Sequence, residues 1–267
     1  MNSSAPAGRI VVKVGGAALN TPEVAGDLWQ TLAGTAAEAD LIVVHGGGVL
    51  VDKRLADAGR STHRVGGLRV TPREDIGLIA DVLAGDVNRM LVGLLKARGV
   101  EALGMGVADA GLCVCEQLPD LGRTGTALPG NASSIHELLA TGTTPVVHCI
   151  GAGADGEPLN INADAAAIAV ANTVGADRLV LLSDVSGVLD DDGDRVPSLD
   201  ADSIDALTSS GVLHSGMIPK AAAAAAFNGS SGAVIGSWQD AAAILGGAVG
   251  VGTRVLREAR RRPAATT

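Results

Sequence analysis

Residues 41–48 (LIVVHGGG) constrain the fold of this chain more than any other stretch. The apolar first half has the pattern of a buried β-strand, and three glycines follow it directly. Residues 49–58 then have apolar side chains at helical spacing, and Gly59 stands where such a helix would end. Glycines between a strand and a helix let a ligand approach the backbone and the free N–H groups of the first helical turn. The stretch therefore predicts an anion-binding turn.

The composition favours a folded protein that binds small molecules. The 267 residues are 47% hydrophobic, with a mean hydropathy of +0.32, so the chain can build a substantial core. The formal net charge is −9, and the aromatic residues are one Phe and two Trp. An acidic chain with so few aromatic residues is poorly suited to bind nucleic acid or an anionic membrane surface. A chain of this kind that binds anions must concentrate its few cations at one site.

The sequence shows no pattern of an exported or membrane-spanning protein. The first eight residues lack a basic segment followed by an apolar one, and no uncharged apolar run approaches the ~20 residues that span a bilayer. Three cysteines, Cys113, Cys115 and Cys149, lack Cys-x-x-Cys spacing and are expected to be reduced thiols. These features predict a cytoplasmic protein.

Short apolar strands alternate with helical patterns along the chain, which predicts an α/β fold with a mostly parallel sheet covered on both faces. In such sheets, ligands bind beyond the carboxyl ends of the strands. The strands are expected at residues 9–14, 41–44, 100–104, 144–150, 178–182, 232–236 and 252–256. Four segments should therefore meet at the ligand-binding edge: Lys13 with Gly15 and Gly16, residues 46–48, residues 151–153, and Ser183 with Asp184.

The predicted helices begin at recognisable capping residues. Thr21 and Pro22 predict a helix from residue 22 to about residue 39, and Asn162 is a candidate N-cap for an Ala-rich helix. Residues 71–74 (TPRE) resemble a capping box. Further helices are expected at residues 74–83, 86–98, 133–141, 202–210 and 221–227, a loop at 63–71, and an antiparallel excursion formed by 113–118 and 123–128.

The candidate chemistry is phosphoryl transfer. The chain has no Gly-x-x-x-x-Gly-Lys-Ser/Thr motif, no convincing dinucleotide fingerprint, no Gly-x-Ser-x-Gly elbow, and no metal-ligand spacing among its five histidines. Lys13, in contrast, lies inside an apolar strand, where its charge is costly unless an anion meets it. A surface lysine on an edge strand is the alternative. Lysines and glycines aimed at anions suit a reaction that proceeds by positioning and charge neutralisation.

Six motifs in order carry a resemblance to a known family. They are residues 12–16 (VKVGG), 44–52 (VHGGGVLVD), 67–71 (GLRVT), 160–164 (NINAD), 182–188 (LSDVSGV) and 216–220 (GMIPK). Together they resemble the amino acid kinase family, and in particular its branch that phosphorylates N-acetyl-L-glutamate. The resemblance implies a three-layer αβα sandwich with two lobes that divide near residues 173–177. Residues 1–174 would bind the acyl amino acid and mediate dimerisation, and residues 175–267 would bind ATP.

The resemblance also implies roles for individual residues. Lys13 and Lys220 would neutralise the transferring phosphoryl group, with Asp164 as the organiser of both lysines; a simple helix-start carboxylate is the alternative for Asp164. The substrate would contact Gly46, Gly47, Arg69 and Asn160, and the nucleotide would contact Lys13, Gly15, Gly16, Ser183, Asp184, Val185, Gly187 and Lys220. Backbone N–H groups of Gly16, Gly46 and Gly47 would donate to the phosphoryl group. Mg²⁺ would arrive with ATP, held by phosphates and water rather than by protein ligands.

The resemblance implies a homodimer, since only about eight residues precede the first strand and leave no room for the added amino-terminal helix of arginine-inhibited, hexameric members. We accordingly expect no inhibition by arginine. Three alternatives stay open: a kinase of another N-acylated or carrier-linked amino acid, a non-catalytic sensor of nucleotide and amino acid, and a dinucleotide-dependent oxidoreductase. Retention of Lys13, Asp164 and Lys220 disfavours the sensor.

Overall fold

A central sheet of eight strands organises the computed structural model, which describes residues 8–211, 213 and 217–256. Neighbouring strands of this sheet are parallel except at one pair near its edge, as expected for an α/β fold with a mostly parallel sheet. Gly216 of the motif at residues 216–220, the histidine at position 214 and the first seven residues of the chain lie outside the described residues.

In the described part of the chain, fourteen strands form three sheets. They are β1 Arg9–Val14, β2 Asp40–His45, β3 His63–Val65, β4 Leu68–Val70, β5 Ala102–Gly106, β6 Cys113–Gln117, β7 Thr124–Pro129, β8 Thr144–His148, β9 Ile150–Ala152, β10 Pro158–Ile161, β11 Arg178–Ser183, β12 Ser198–Leu199, β13 Ala233–Ser237 and β14 Thr253–Val255. The central sheet has the order β12-β14-β13-β11-β1-β2-β8-β5, and β13 and β14 are its antiparallel pair. A second sheet has the order β6-β7-β10-β9, and β3 and β4 form a hairpin.

The helices lie on both faces of the central sheet. They are α1 Ala17–Asn20, α2 Gly26–Glu38, α3 Gly48–Asp57, α4 Ile76–Ala80, α5 Asn88–Lys96, α6 Ser133–Ala140, α7 Ala163–Thr173, α8 Ala201–Ser209, α9 Ile218–Ala225 and α10 Ala241–Leu245. A π-helical segment, Asp81–Val87, joins α4 to α5, and short 3₁₀ turns occupy Asp109–Gly111 and Trp238–Asp240. On one face α2 packs against β2, α5 and α10.

The helix α7 is buried on both sides, which explains its Ala-rich sequence. It contacts β1, β2 and β11 of the central sheet and β6 and β7 of the second sheet. Four of its alanines, at positions 166, 167, 169 and 171, are buried. Small side chains allow a helix to fit closely between two sheets. Asn162 caps this helix, since its Oδ1 accepts hydrogen bonds from the N–H groups of Asp164 and Ala165.

The helix predicted from residue 22 is wrong at its start, because α2 begins at Gly26. Thr21 ends the preceding short helix instead, since its hydroxyl donates to the carbonyl of Ala17 at 3.1 Å. The Pro22 carbonyl accepts a 2.7 Å bond from Nε1 of Trp29, which holds residues 21–25 as a turn. The side chain of Trp29, seven residues after Pro22, therefore helps to determine where α2 begins.

The stretch from residue 63 to residue 98 also differs from the prediction. Residues 63–71 contain the hairpin β3–β4 rather than only a loop. The two predicted helices at 74–83 and 86–98 are one continuous rod, because the π-helical segment carries the chain through Gly85 and Asp86. The capping box is wrong as well, because the Thr71 hydroxyl contacts Thr124 and Asn160 and the rod begins at Ile76.

Two further differences concern short elements. Residues 150–152 form β9 and pair with β10, so the predicted glycine turn at 151–153 is largely strand. The sequence analysis did not predict the helix α10. This helix has only five residues and a glycine-rich segment follows it, so the sequence shows little helical periodicity there. The strands near residues 9, 41, 102, 144, 178, 233 and 253, and the antiparallel pair β6–β7, are confirmed within one or two residues at most ends.

Substitution of Trp29 should test how far the α2 layer supports the sheet. Trp29 is fully buried on α2, so Trp29→Ala leaves a large cavity and should lower the free energy of unfolding by about 3–5 kcal/mol. Urea denaturation followed by circular dichroism measures the change. The control is Val24→Ala in the adjacent turn, where the side chain is 69% exposed and the change should stay within about 0.5 kcal/mol. Equal stabilities of the two variants would contradict this packing.

Candidate active site

The glycine turns after β1 and β2 meet at the carboxyl edge of the central sheet. These two strands are neighbours in the sheet, in a register that pairs Val14 with His45. Gly16, the residue before α1, therefore lies beside Gly47, the residue before α3. The turn after β11 reaches the same edge, because β11 pairs with the other side of β1. The predicted meeting is thus confirmed for three of the four segments. It is wrong for residues 151–153, because Gly151 and Ala152 belong to β9 and pair with β10.

Two buried lysines share one carboxylate at this edge. Nζ of Lys13 is 3.1 Å from Oδ1 of Asp164, and Nζ of Lys220 donates to Oδ1 and Oδ2 of Asp164 at 2.9 and 2.8 Å. Lys13 lies on β1, and Asp164 and Lys220 lie in the first turns of α7 and α9, which pack together. Since β1 is flanked by β2 and β11, Lys13 is not a surface residue of an edge strand.

The charges of this triad favour an anionic ligand. Burial alone would raise the pKa of Asp164, but the positive charges of Lys13 and Lys220 outweigh it and lower that pKa to about 2. Burial, together with the charge of Lys13, lowers the pKa of Lys220 to about 8, although Asp164 opposes this change. At neutral pH the triad therefore contains two cations and one anion. The positive excess, held away from water, attracts a negatively charged group.

Close contacts require glycine beside the triad. A Cβ atom on Gly15 would lie 2.7 Å from Nζ of Lys13, and one on Gly16 would clash with both carboxylate oxygens of Asp184. Gly47 adopts a φ of 154°, which side chains with a Cβ rarely allow. In the described part of the chain, the N–H groups of Gly16 and Gly47 have no hydrogen-bond acceptor. The N–H of Gly46 differs from the expectation, because it donates to the carbonyl of Val14 at 3.0 Å.

A cavity of about 180 Å³ extends from the triad toward β4. Lys13, Asp164 and the glycines line one end, and Arg69 and Asn160 line the other. The side chain of Arg69 is held from behind: Nη1 donates to Oδ1 of Asp52 at 2.6 Å, and Nη2 donates to the carbonyl of Gly48 at 3.2 Å. The cavity thus has positive charge at both ends.

Asp52 and two threonines fix the far end of the cavity. Partial burial would raise the pKa of Asp52, but the hydrogen bond and charge of Arg69 outweigh it and lower that pKa. Nδ2 of Asn160 donates to Oγ1 of Thr71 at 3.0 Å, and Oγ1 of Thr124 donates to the backbone carbonyl of Arg69. These residues join β4, β7 and β10 and so set the distance between Arg69 and Asn160.

The predicted nucleotide residues Ser183, Asp184, Val185 and Gly187 lie beside this cavity rather than in its wall. Asp184 accepts hydrogen bonds from the N–H of Ala17 at 2.8 Å and from Nε1 of Trp238 at 3.2 Å. It therefore fixes the turn that contains Gly16. Gly187 adopts a φ of 157° with Thr253 in close contact, which shapes the turn after β11.

Sequence reasoning assigned no role to several residues of the site: Asp52, Arg64, Thr71, Thr124 and Trp238. Asp52 follows Gly48 by one helical turn, which was a usable signal. The threonines are brought in by contacts more than 50 residues apart in sequence, and no local pattern announces them.

The described residues contain neither a cluster of metal-binding side chains nor a membrane-spanning helix. Within residues 8–211, 213 and 217–256, no three His, Cys, Asp or Glu side chains gather as a metal-binding group. In the same part of the chain, no helix has the length and apolar character needed to cross a membrane.

Comparison with known proteins gives a consistent picture. The sequence model of the amino acid kinase family matches residues 8–236. The chain is 42% identical over 254 residues to the acetylglutamate kinase of Vibrio cholerae serotype O1, covering 92% of this chain and 97% of the relative. It is 44% identical over 250 residues to the acetylglutamate kinase of Aeromonas salmonicida, covering 90% and 96%.

Solved structures share the fold. A protein of Streptococcus mutans UA159 superposes with a TM-score of 0.77 at 27% identity, covering 92% of this chain and 97% of that one. Carbamate kinase of Giardia lamblia bound to AMP-PNP superposes with a TM-score of 0.68 at 19% identity, covering 95% and 99%. At that identity the second likeness concerns the fold alone.

Substitution of Asp164 by Asn should change the pH dependence of stability. The pKa of about 2 in the folded state lies below the value of about 3.9 in an unfolded chain, so ionised Asp164 contributes about 2–3 kcal/mol of stability above pH 4. This contribution is lost as the pH falls from about 4 to about 2. Asp164→Asn should therefore be less stable than the wild type at pH 7, by a margin that shrinks at pH 3.

Chemical denaturation at the two pH values measures this margin. The control is Asp57→Asn, because Asp57 forms an exposed pair with Lys53 and should contribute little at either pH. A margin for Asp164→Asn that is constant from pH 7 to pH 3 would rule out this electrostatic account.

Proposed function

The chain belongs to the amino acid kinase family, and we propose that it acts as an acetylglutamate kinase. In this reaction the γ-phosphoryl group of ATP is transferred to the side-chain carboxylate of N-acetyl-L-glutamate, as in the acetylated route to arginine. The observation that carries the proposal is the triad of Lys13, Asp164 and Lys220. Lys13 and Asp164 line one end of a cavity whose other end holds Arg69, and Lys220 lies behind them on Asp164.

The chemistry requires charge neutralisation rather than a base. A carboxylate acceptor has a pKa of about 4 and is already ionised at neutral pH. Its attack on ATP is opposed by repulsion between the carboxylate and the phosphates. Lys13 and Lys220 offset this repulsion, and N–H groups at the glycine turns stabilise charge on the transferring group. Asp164, with a pKa of about 2 and both lysines bound, is an organiser and not a proton acceptor.

The far end of the cavity suits the rest of the substrate. Arg69 would bind the α-carboxylate through the N–H groups that its contacts with Asp52, Thr62 and Gly48 leave free. Asn160 lies beside it and would bind the substrate with Arg69. The separation of Arg69 from the lysines by the cavity then favours a dicarboxylate, with one carboxylate at each end.

The nucleotide would approach from the side of β11. In this proposal residues 1–174 form the lobe that binds the acyl amino acid, and residues 175–267 form the lobe that binds ATP. The phosphates would contact Lys13, Gly15, Gly16 and Lys220, while Ser183, Asp184, Val185 and Gly187 shape the adjoining turn. The substrate is MgATP, whose metal would be held by phosphates and water.

The protein would act as a homodimer in the cytoplasm, where ATP is supplied. Cys113, Cys115 and Cys149 are buried free thiols, as suits a reducing compartment. Size-exclusion chromatography with light scattering tests the dimer independently of the reaction.

A substrate panel tests the proposed reaction. Purified protein with MgATP should form an acyl phosphate, trapped by hydroxylamine, with N-acetyl-L-glutamate but not with free glutamate, N-acetyl-L-aspartate or aspartate. The shorter side chain of N-acetyl-L-aspartate should fail because its carboxylate cannot reach the lysines while Arg69 holds the other end. If product forms only with another acylated amino acid, the proposed kinase activity stands and the proposed substrate is wrong. ATP binding without product from any of them would favour a sensor.

Removal of Lys13 should abolish most of the activity. Lys13→Ala deletes one of the two cations that face the phosphoryl group, so kcat should fall by about 10²–10³-fold. Lys53→Ala is the matched control, because its side chain is 74% exposed on α3 and its activity should be unchanged. A Lys13→Ala enzyme within threefold of the wild-type kcat would remove Lys13 from the mechanism.

A further inference from the structure

His45 is fully buried at the end of β2 and has no role in the reaction as described so far. Its ring is held between two partners. Nδ1 is 2.9 Å from the carbonyl oxygen of Gly46, and Nε2 is 3.0 Å from Nδ2 of Asn88. Nδ2 of Asn88 also donates to the carbonyl of Val146 at 2.9 Å. Both ring nitrogens are thus engaged, so the ring orientation is fixed.

The contacts of Asn88 decide which nitrogen of His45 carries the proton. A carbonyl oxygen only accepts hydrogen bonds, so the atom of Asn88 that faces Val146 is its amide nitrogen. The second N–H of that nitrogen points to Nε2 of His45, which must accept and is therefore unprotonated. The proton lies on Nδ1 and is donated to Gly46. Burial lowers the pKa of His45 to about 4, so the ring stays neutral at pH 7.

This hydrogen bond fixes the peptide between Gly46 and Gly47. The described residues contain no cis peptide bond, and in a trans peptide the N–H points opposite to the C=O. With the Gly46 carbonyl held by His45, the N–H of Gly47 points away from the ring. The N–H of Gly46 is held on the other side by the carbonyl of Val14, 3.0 Å away. Of these two glycines, Gly47 is the one whose N–H remains available to a ligand.

The π-helical segment holds the same turn from another direction. A Cβ atom on Gly47 would lie 2.8 Å from Cδ2 of Leu83 and 3.3 Å from Cγ2 of Val87, so both side chains pack on its Cα atom. Asn88 follows the segment directly, and all three side chains are buried. Widened turns of this kind are frequent at functional sites. Here the segment packs Leu83 and Val87 against Gly47, and Asn88, the residue after it, forms the hydrogen bond with His45.

We propose that His45 and Asn88 are positioning residues that orient the Gly46–Gly47 peptide, so that the N–H of Gly47 faces the phosphoryl group during transfer. This inference rests on the proposed function, since it assigns the anion at the cavity to the transferring group. His45 does not touch the substrate; it acts through the carbonyl of Gly46. The assignment also explains why a histidine is placed next to the glycines.

Kinetic comparison of two variants at position 45 tests the proposal. His45→Leu removes the donor to Gly46 at similar volume, so kcat should fall by about tenfold to a hundredfold, with KM for both substrates within about threefold. His45→Asn can place an amide N–H near the position of Nδ1 and should recover most of the lost kcat. If folded His45→Leu keeps kcat within twofold of the wild type, the proposal is wrong.

Asn88→Ala provides a second route if His45→Leu fails to fold. It leaves the ring in place but releases Nε2, so it should lower kcat with little change in KM. The matched control is Asn172→Ala. Asn172 lies on α7, and its side chain also forms hydrogen bonds with the backbone: Nδ2 donates to the carbonyl of Ala226, and Oδ1 accepts from the N–H of Asn228. The control should keep the wild-type kcat. Equal kcat values for the two Asn variants would overturn the proposal.

Nuclear magnetic resonance separates this inference from the proposed function. In ¹⁵N-histidine-labelled wild type, His45 should show a protonated Nδ1 and an unprotonated Nε2 at pH 7. In ¹⁵N-glycine-labelled protein, the Gly47 amide signal should shift when MgADP and aluminium fluoride are added, and shift less in His45→Leu. Protonation on Nε2, or a Gly47 signal that does not move, overturns the inference. Wild type that lacks activity on N-acetyl-L-glutamate but passes both tests defeats only the proposed substrate.

Discussion

The sharing of one buried carboxylate by two lysines is the interaction on which the site depends. Lys13, Asp164 and Lys220 come from a central strand and from two different helices, so the triad forms only when all three elements are in place. Loss of one partner from such a group leaves an uncompensated charge, which typically costs about 3–5 kcal/mol. In the proposed reaction, the anion that enters the cavity neutralises this positive excess. Burial lowers the pKa of Lys220 to about 8. Since this value is still above 7, Lys220 remains mainly protonated at pH 7.

The sheet brings the donors to this charge, and glycines make the approach possible. Parallel pairing of β1 with β2 places the turns at Gly16 and Gly47 side by side. Each turn meets a different neighbour: the carboxylate of Asp184 occupies the space beside Gly16, and Leu83 occupies the space beside Gly47. The absence of Cβ atoms therefore serves the packing of the protein as much as access for a ligand. Any other residue at these positions would displace the groups that hold the turns.

How much of this was predictable depends on the range of the interactions involved. The strands β1, β2, β8 and β11 were predicted because each is a continuous apolar run, and the cap at Asn162 because capping is local. The hairpin β3–β4 was missed since its strands are three residues long and β3 is exposed. The π-helical segment was read as a break because Gly85 interrupts the helical pattern. Thr71 and Thr124 act through contacts between residues more than 50 positions apart, so their part in the site is visible only in the three-dimensional structure.

Cys149 lies in the same buried environment as the two lysines but responds to it differently. Its thiol lines the cavity near Lys13, whose charge favours a thiolate, yet burial dominates and raises its pKa to about 12. A thiol with that pKa is neutral at pH 7 and does not compete with a carboxylate for the phosphoryl group. Burial thus keeps Cys149 neutral, while Asp164, which is buried at the same site but bound by two cations, stays ionised. Direct hydrogen bonds to charged partners, which Asp164 has, make the difference between the two groups.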